Sequence, residues 1–232
     1  MKALCRAIFL SSLGKKVISA ITGLGLYLYI ILHLAGNLTL FARRPAIFNR
    51  YAHFLESLGW FVVVIEIILL FGFLFHAFYG IVVWLEKRRA RPDSYLVSAN
   101  IGAPSRKTFS SKNMIWTGIL LGAFTIIHVI TFKYGPGINQ GYMTMVNGVE
   151  MRDLYRLVVE TFSNKYYVAW YVLAMFFLGF HLRHAFWSSL QSLGANNAVL
   201  TPVLFWLGAI FAVLLALGFL VIPIFIYFTG GV

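Results

Sequence analysis

Five long apolar runs, each reaching the roughly 20 residues needed to cross a hydrocarbon core, constrain this chain more than any other feature; they lie at about 17–41, 59–85, 114–133, 166–190 and 203–228. Inside lipid no water is present to satisfy a peptide N–H or C=O, so each run must be a helix. Only 11% of the chain is charged and 60% is hydrophobic, against about 25% charged in an ordinary soluble domain. The expected fold is therefore all-α: a single five-helix transmembrane bundle over residues 1–232, without a separate soluble domain. The first run follows Lys15-Lys16 but is too long for a signal-peptide core, and no small-residue cleavage pattern follows it, so it is read as a span.

The net charge of +12 would point to nucleic acid in a soluble protein. Here the basic residues sit between apolar runs, so orientation explains them better and no nucleic-acid partner is expected. The N-terminal segment and residues 86–112 hold eleven Lys and Arg against the two acids Glu86 and Asp93. The opposite side holds seven, including Arg43, Arg44, Arg50 and Lys133, against four acids. The positive-inside rule then puts the N-terminus in the cytoplasm and the C-terminus outside a cell inner membrane, with lipid as the surrounding partner. The outer connection 134–165 opens on the turn Gly135-Pro136-Gly137 and continues with helical spacing of Leu154, Leu157, Val158 and Phe162. That spacing reads as a short amphipathic helix on the membrane surface. Pro223 is expected to kink the last span.

Cys5 is the only cysteine. An internal disulfide, covalent c-type haem and thiolate-held zinc or iron–sulfur clusters are thereby excluded for this chain. Histidine is the better signal, because five of six (His33, His76, His128, His181 and His184) fall inside spans, where ionisable residues are rare and usually functional. His33 and His128 lie about 16 and 14 residues from the inner ends of the first and third spans, whereas His76 and His181 lie about 10 from the inner ends of the second and fourth; at 1.5 Å per residue these are two levels about 9 Å apart. Each level takes one histidine from each of two helices, as two bis-histidine b haems would require. A lone histidine in a span is often just an interhelical hydrogen-bonding group, and a proton relay is also possible, but neither requires matched levels.

On the fourth span His181 and His184 compete as i and i+3 neighbours, and depth favours His181. His184 and Arg183 lie closer to the inner surface, where Arg183 can neutralise a haem propionate or snorkel to headgroups. His53, in the first outer loop, is the weaker ligand candidate. Gly25, Gly36, Gly72, Gly80, Gly118, Gly122 and Gly179 lie beside the candidates and admit either a flat macrocycle or a neighbouring helix. Glu66 is the only acid well inside a span. A buried carboxylate there can exchange protons for quinone chemistry or can simply hydrogen-bond between helices. Glu56, beside His53, is a second candidate for proton entry or exit.

At these residues the chain resembles the single-chain, five-helix, di-haem cytochrome b anchors of succinate:quinone oxidoreductases and fumarate reductases. The segments that carry the resemblance are Ser11-Ser12-Leu13-Gly14-Lys15-Lys16, Thr22-Gly23, His33-Leu34-Ala35-Gly36-Asn37, Ala52-His53-Phe54-Leu55-Glu56-Ser57-Leu58, His76-Ala77-Phe78-Tyr79-Gly80 and Phe180-His181 through Trp187 and Gln191 to Leu193-Gly194. They are short individually but follow one another in order over nearly the whole chain. The resemblance implies His33 and His128 as ligands of a distal haem and His76 and His181 as ligands of a proximal one. It further implies a flavoprotein subunit and an iron–sulfur subunit docked on the cytoplasmic face, holding the FAD, the clusters and the dicarboxylate chemistry, with membrane quinone as the electron partner. The outer-level carboxylates lean toward menaquinone. Two other readings stand beside it: a haem b subunit of a nitrate reductase, formate dehydrogenase or hydrogenase, and a small proton-coupled transporter.

Overall fold

The structure is a computed structural model and describes residue 9 and residues 11–90, 109–195 and 197–231. Cys5 and several of the basic and acidic residues weighed above (Lys2, Arg6, Arg91, Asp93, Arg106 and Lys107) lie outside the described residues. Five helical segments are long and apolar enough to cross a membrane: Ser12–Ala42, Trp60–Arg89, Met114–Lys133, Lys165–Ser192 and Leu200–Thr229. Their cores are the helices α1 (Ser12–Asn37), α3 (Trp60–Arg89), α4 (Met114–His128), α6 (Lys165–Ser192) and α7 (Leu200–Thr229). Ile65, Ile68, Phe71, Leu74, Phe75 and Phe78 on α3 all lie exposed on the protein. In water such a face would be an aggregation surface; lipid accounts for it. The chain is a multi-pass membrane protein whose described residues are all-α apart from one small hairpin.

The chain divides into two compact units. One comprises the segments up to Leu28, Ile68–Gly118 and Phe180–Val213; the other comprises Tyr29–Ile67, Ile119–Gly179 and Leu214 onward. Each contains a piece of every span. The helix α7 runs without interruption through Pro223, which is among the most buried side chains.

Two connections in the second unit are more structured than the sequence reading expected. The first outer loop is a helix, α2 (Pro45–Ser57), opened by proline at its first turn, where the missing N–H costs nothing. The connection after α4 contains a hairpin, β1 (Met143–Val146) and β2 (Val149–Arg152), the one departure from the all-α expectation. Asn147 (φ 52°) and Gly148 (φ 79°) form its turn, and two left-handed residues in a two-residue loop match the twist of the paired strands. The Arg152 guanidinium donates to the carbonyls of Gly135 and Pro136.

The amphipathic helix α5 (Leu154–Phe162) is present, with Asp153 as its N-cap accepting from the Arg156 N–H at 3.1 Å. It does not lie on lipid by its apolar face, as expected from sequence. Tyr155, Leu157, Val158 and Phe162 are buried by protein, with Tyr155 against Phe48 of α2 and Phe162 against Tyr171 of α6. On the polar face Glu160 accepts from Tyr142 and from Arg156, and these bonds hold its carboxyl below the ordinary carboxylate range.

Asn49 joins these pieces. It is 1% exposed, donates to Asp153 at 2.8 Å and accepts from the Tyr155 N–H at 2.8 Å. Asn49→Ala leaves the buried Tyr155 N–H without its acceptor and removes one of the bonds to Asp153. The expected cost is about 2–3 kcal/mol, read as earlier thermal unfolding in detergent with faster proteolysis of the 143–152 hairpin. A loss within about 0.5 kcal/mol would mean that the packing of α2 on α5 holds this region without the asparagine.

Candidate functional site

Each unit contains one pair of facing histidines. In the first, the rings of His76 (α3) and His181 (α6) have centroids 6.2 Å apart and are inclined by 73°. In the second, His33 (α1) and His128 (α4) have centroids 5.7 Å apart and are nearly perpendicular at 89°. Each pair draws its members from two different spans.

What the other ring nitrogen does is the informative part. His76 Nδ1 lies 3.0 Å from the Ser19 carbonyl oxygen. A carbonyl only accepts, so His76 carries its proton on Nδ1 and keeps a free lone pair on Nε2. Gly23 makes this approach possible: a Cβ there would stand 3.0 Å from the His76 ring. His181 Nδ1 lies 3.1 Å from Thr117 Oγ1. The Thr117 hydroxyl is within reach of the carbonyls of Asn113 and Met114 as well as of His181 Nδ1, so it can give its proton to its own helix or to the imidazole. When it bonds its own helix, His181 also carries its proton on Nδ1, and neither ring of the pair has an N–H left for the other.

His128 Nδ1 lies 3.0 Å from the Tyr171 hydroxyl, which can give or take a proton. Its ring is stacked on Phe124 (5.6 Å, 26°), and the Trp170 ring is tilted against the same phenyl group at 6.5 Å. The Trp170 indole N–H is buried without a partner. His33 lies between Tyr29 (5.4 Å) and Phe219 (5.8 Å). Directly after His128 the helix widens into a π turn, Val129–Lys133, an irregularity that tends to mark functional positions.

The residues fit an iron porphyrin. Two axial imidazoles with metal–nitrogen bonds of about 2.0 Å and ring centres about 1 Å farther out hold their centroids about 6 Å apart. Metal-binding histidines characteristically spend the second ring nitrogen on a neighbouring oxygen, which fixes the tautomer. The orphaned Trp170 N–H is a donor available to a carboxylate. Among the described residues no three His, Cys, Asp or Glu converge on one metal position.

The other candidates are placed as follows. The Arg183 guanidinium stacks over the Phe205 ring at 5.7 Å. His184 follows it on α6, one turn from His181. His53 and Glu56 lie on α2. Glu66 is ion-paired with Lys133, which the sequence reading had counted as an outer-loop charge. Of the glycines singled out, a Cβ at Gly118 would stand 3.5 Å from the His181 ring and one at Gly36 would collide with the Tyr51 ring, while Gly25, Gly72 and Gly80 face open space. Sequence reasoning missed Ser19, Gly23, Thr117, Tyr171 and Lys133. A hydroxyl in an apolar span one helix away from a histidine was the available signal for Thr117 and Tyr171.

Thr117→Val keeps the shape and removes the acceptor. In histidine-labelled protein the 15N spectrum should show His181 with Nδ1 protonated in the parent and no longer held in that single tautomer in the variant, while His76 is unchanged. An unaltered His181 signal would mean that Thr117 does not set its tautomer.

No protein-family model, curated protein or solved structure matches the chain.

Proposed function

We propose that this chain is a di-haem cytochrome b membrane anchor of a succinate:quinone oxidoreductase or fumarate reductase. In this reading the chain passes electrons between a cytoplasmic iron–sulfur subunit and membrane quinone, most naturally menaquinone. One observation carries the reading: His76 and His181 face each other from two spans with each Nδ1 against a neighbouring oxygen, and a second histidine pair stands in the other unit. The ordered sequence segments that resemble this family supply the identity of the complex.

His76 and His181 would hold one haem and His33 and His128 the other. Bound haem supplies one-electron transfer. The chain's own residues do the rest. Ser19 and Thr117 fix the ring orientation of one pair, and Tyr171 steadies His128. The apolar helices exclude water. Arg183 and the free Trp170 N–H are available to carboxylates. The flavoprotein and iron–sulfur subunits would dock at the N-terminal side, which the positive-inside rule puts in the cytoplasm. Glu66 is the proton-handling group proposed for quinone, with Lys133 as its partner, and Glu56 stands second. A small proton-coupled transporter is the competing reading, and the Glu66–Lys133 pair inside the spans is what favours it.

A pyridine haemochrome assay on the purified chain separates the two. Two six-coordinate b haems per chain are expected; none would leave the transporter reading. His76→Ala and His181→Ala should each remove the same haem, and His33→Ala and His128→Ala the other. Loss on His184→Ala with retention on His181→Ala would move the ligand one turn along α6.

Glu66→Gln should lower quinone-linked turnover about a hundredfold or more, on the scale of lost general acid–base catalysis. Both haems and succinate oxidation by an artificial acceptor should persist. Because the single variant strands the Lys133 charge, Glu66→Gln/Lys133→Gln is the companion measurement. Normal quinone turnover in the double variant would leave Glu66 a structural ion-pair partner and turn attention to Glu56.

A further inference from the structure

A pocket of ≈ 390 Å³ opens beside α2 in the second unit, within the size range of small-molecule sites. Arg50, His53 and Ser57, at i, i+3 and i+7 of α2, form one wall, and Val146, Val149 and Met151 of the hairpin form the other. No carboxylate lines it: Glu56 and Glu150, the nearest acids in sequence, are not among its walls. Arg50 has no ion-pair partner among the described residues. The pocket therefore offers hydrogen-bond donors and one uncompensated cation on the α2 side, with Phe54 beside them, and a mostly apolar hairpin side on which Asn147 is the one polar side chain.

Connectivity sets where this pocket lies. The helix α2 joins the ends of two spans within a few residues on either side, so it cannot leave the membrane boundary. Trp60, Tyr134 and Tyr166, each at a span end in the same unit, are all strongly exposed, as aromatic residues at a lipid–water interface are. Ile47, Phe54 and Leu55 of α2 are exposed as well, and Arg43 and Arg44 precede the helix. Apolar side chains beside unpaired arginines at this depth match a phospholipid, with its phosphate at the cation and its glycerol and upper acyl carbons on the apolar wall.

We propose that this pocket is a binding site for the phosphodiester headgroup of an anionic phospholipid, with Arg50 and His53 on the phosphate and Val146 and Val149 against the glycerol and upper acyl chain. The site is independent of what the histidine pairs hold.

The test is native mass spectrometry of the full chain, delipidated in detergent and given equal phosphatidylglycerol and phosphatidylcholine. One phosphatidylglycerol should be retained selectively, and Arg50→Gln should weaken its retention about fivefold, the effect of removing one interfacial cation. Val149→Glu puts a carboxylate on the exposed apolar wall without touching α2 and should weaken retention to a similar degree, so the proposal can be tested even if Arg50→Gln does not fold. Equal retention of both lipids, or retention unchanged in a folded variant, overturns it. Displacement of the lipid by millimolar inorganic phosphate would make the site one for free phosphate and also overturn the lipid assignment.

Discussion

Inside hydrocarbon a polar group without a partner costs several kilocalories, and that constraint organises most of this molecule. It makes the five spans helical. It also decides what polar side chains within them can do. Thr117, 3% exposed, keeps its hydroxyl within reach of the carbonyls of its own helix and of His181. Ser19 gives a main-chain carbonyl to His76, and Glu66 meets Lys133. The facing histidines follow the same rule, since His76 and His181 each place Nδ1 against a neighbouring oxygen.

The second unit solves a related problem at the boundary. Connections between spans also have polar backbone to satisfy, and here they do so by folding. Pro45 starts a helix in what looked like a loop, Asn147-Gly148 closes a hairpin, and Asp153 caps α5. Asn49 then ties helix to helix through two bonds to groups 104 and 106 residues away. Because α5 finds protein for its apolar face, it has no need of lipid. The exposed apolar residues include those of the spans, of α2 and of the hairpin (Met143, Met145 and Val149), and Arg50, without an ion-pair partner among the described residues, stands beside the last two groups.

Much of this was legible in the chain. The spans were, because length and hydropathy decide them without help from tertiary contacts, and the boundaries differ from the structure by only a few residues. The histidine pairs were legible as depths, since a straight helix turns residue number into distance. The hairpin was not, although Asn147-Gly148 between short alternating segments is a strong local turn signal; the apolar composition of the whole chain favoured helix everywhere and hid it. The partner of Lys133 was hidden for a different reason. A charge at a span end reads as interfacial until a partner on another helix is known, and Glu66 lies 67 positions away.

The sequence by itself determined that this chain enters a membrane, how many helices it offers to it, and which helices carry imidazole. Those properties depend on residue type and spacing along one helix, and the bilayer imposes them whatever the packing. Only the tertiary structure decided that His76 turns Nδ1 to the Ser19 carbonyl, that Gly23 admits its ring there, that Glu66 is not solitary, and that α5 rests on protein. Each of these depends on the rotation and register of one helix against another, and in lipid that choice is made by side-chain packing and interhelical hydrogen bonds rather than by a hydrophobic stripe. Hydropathy carries no trace of it.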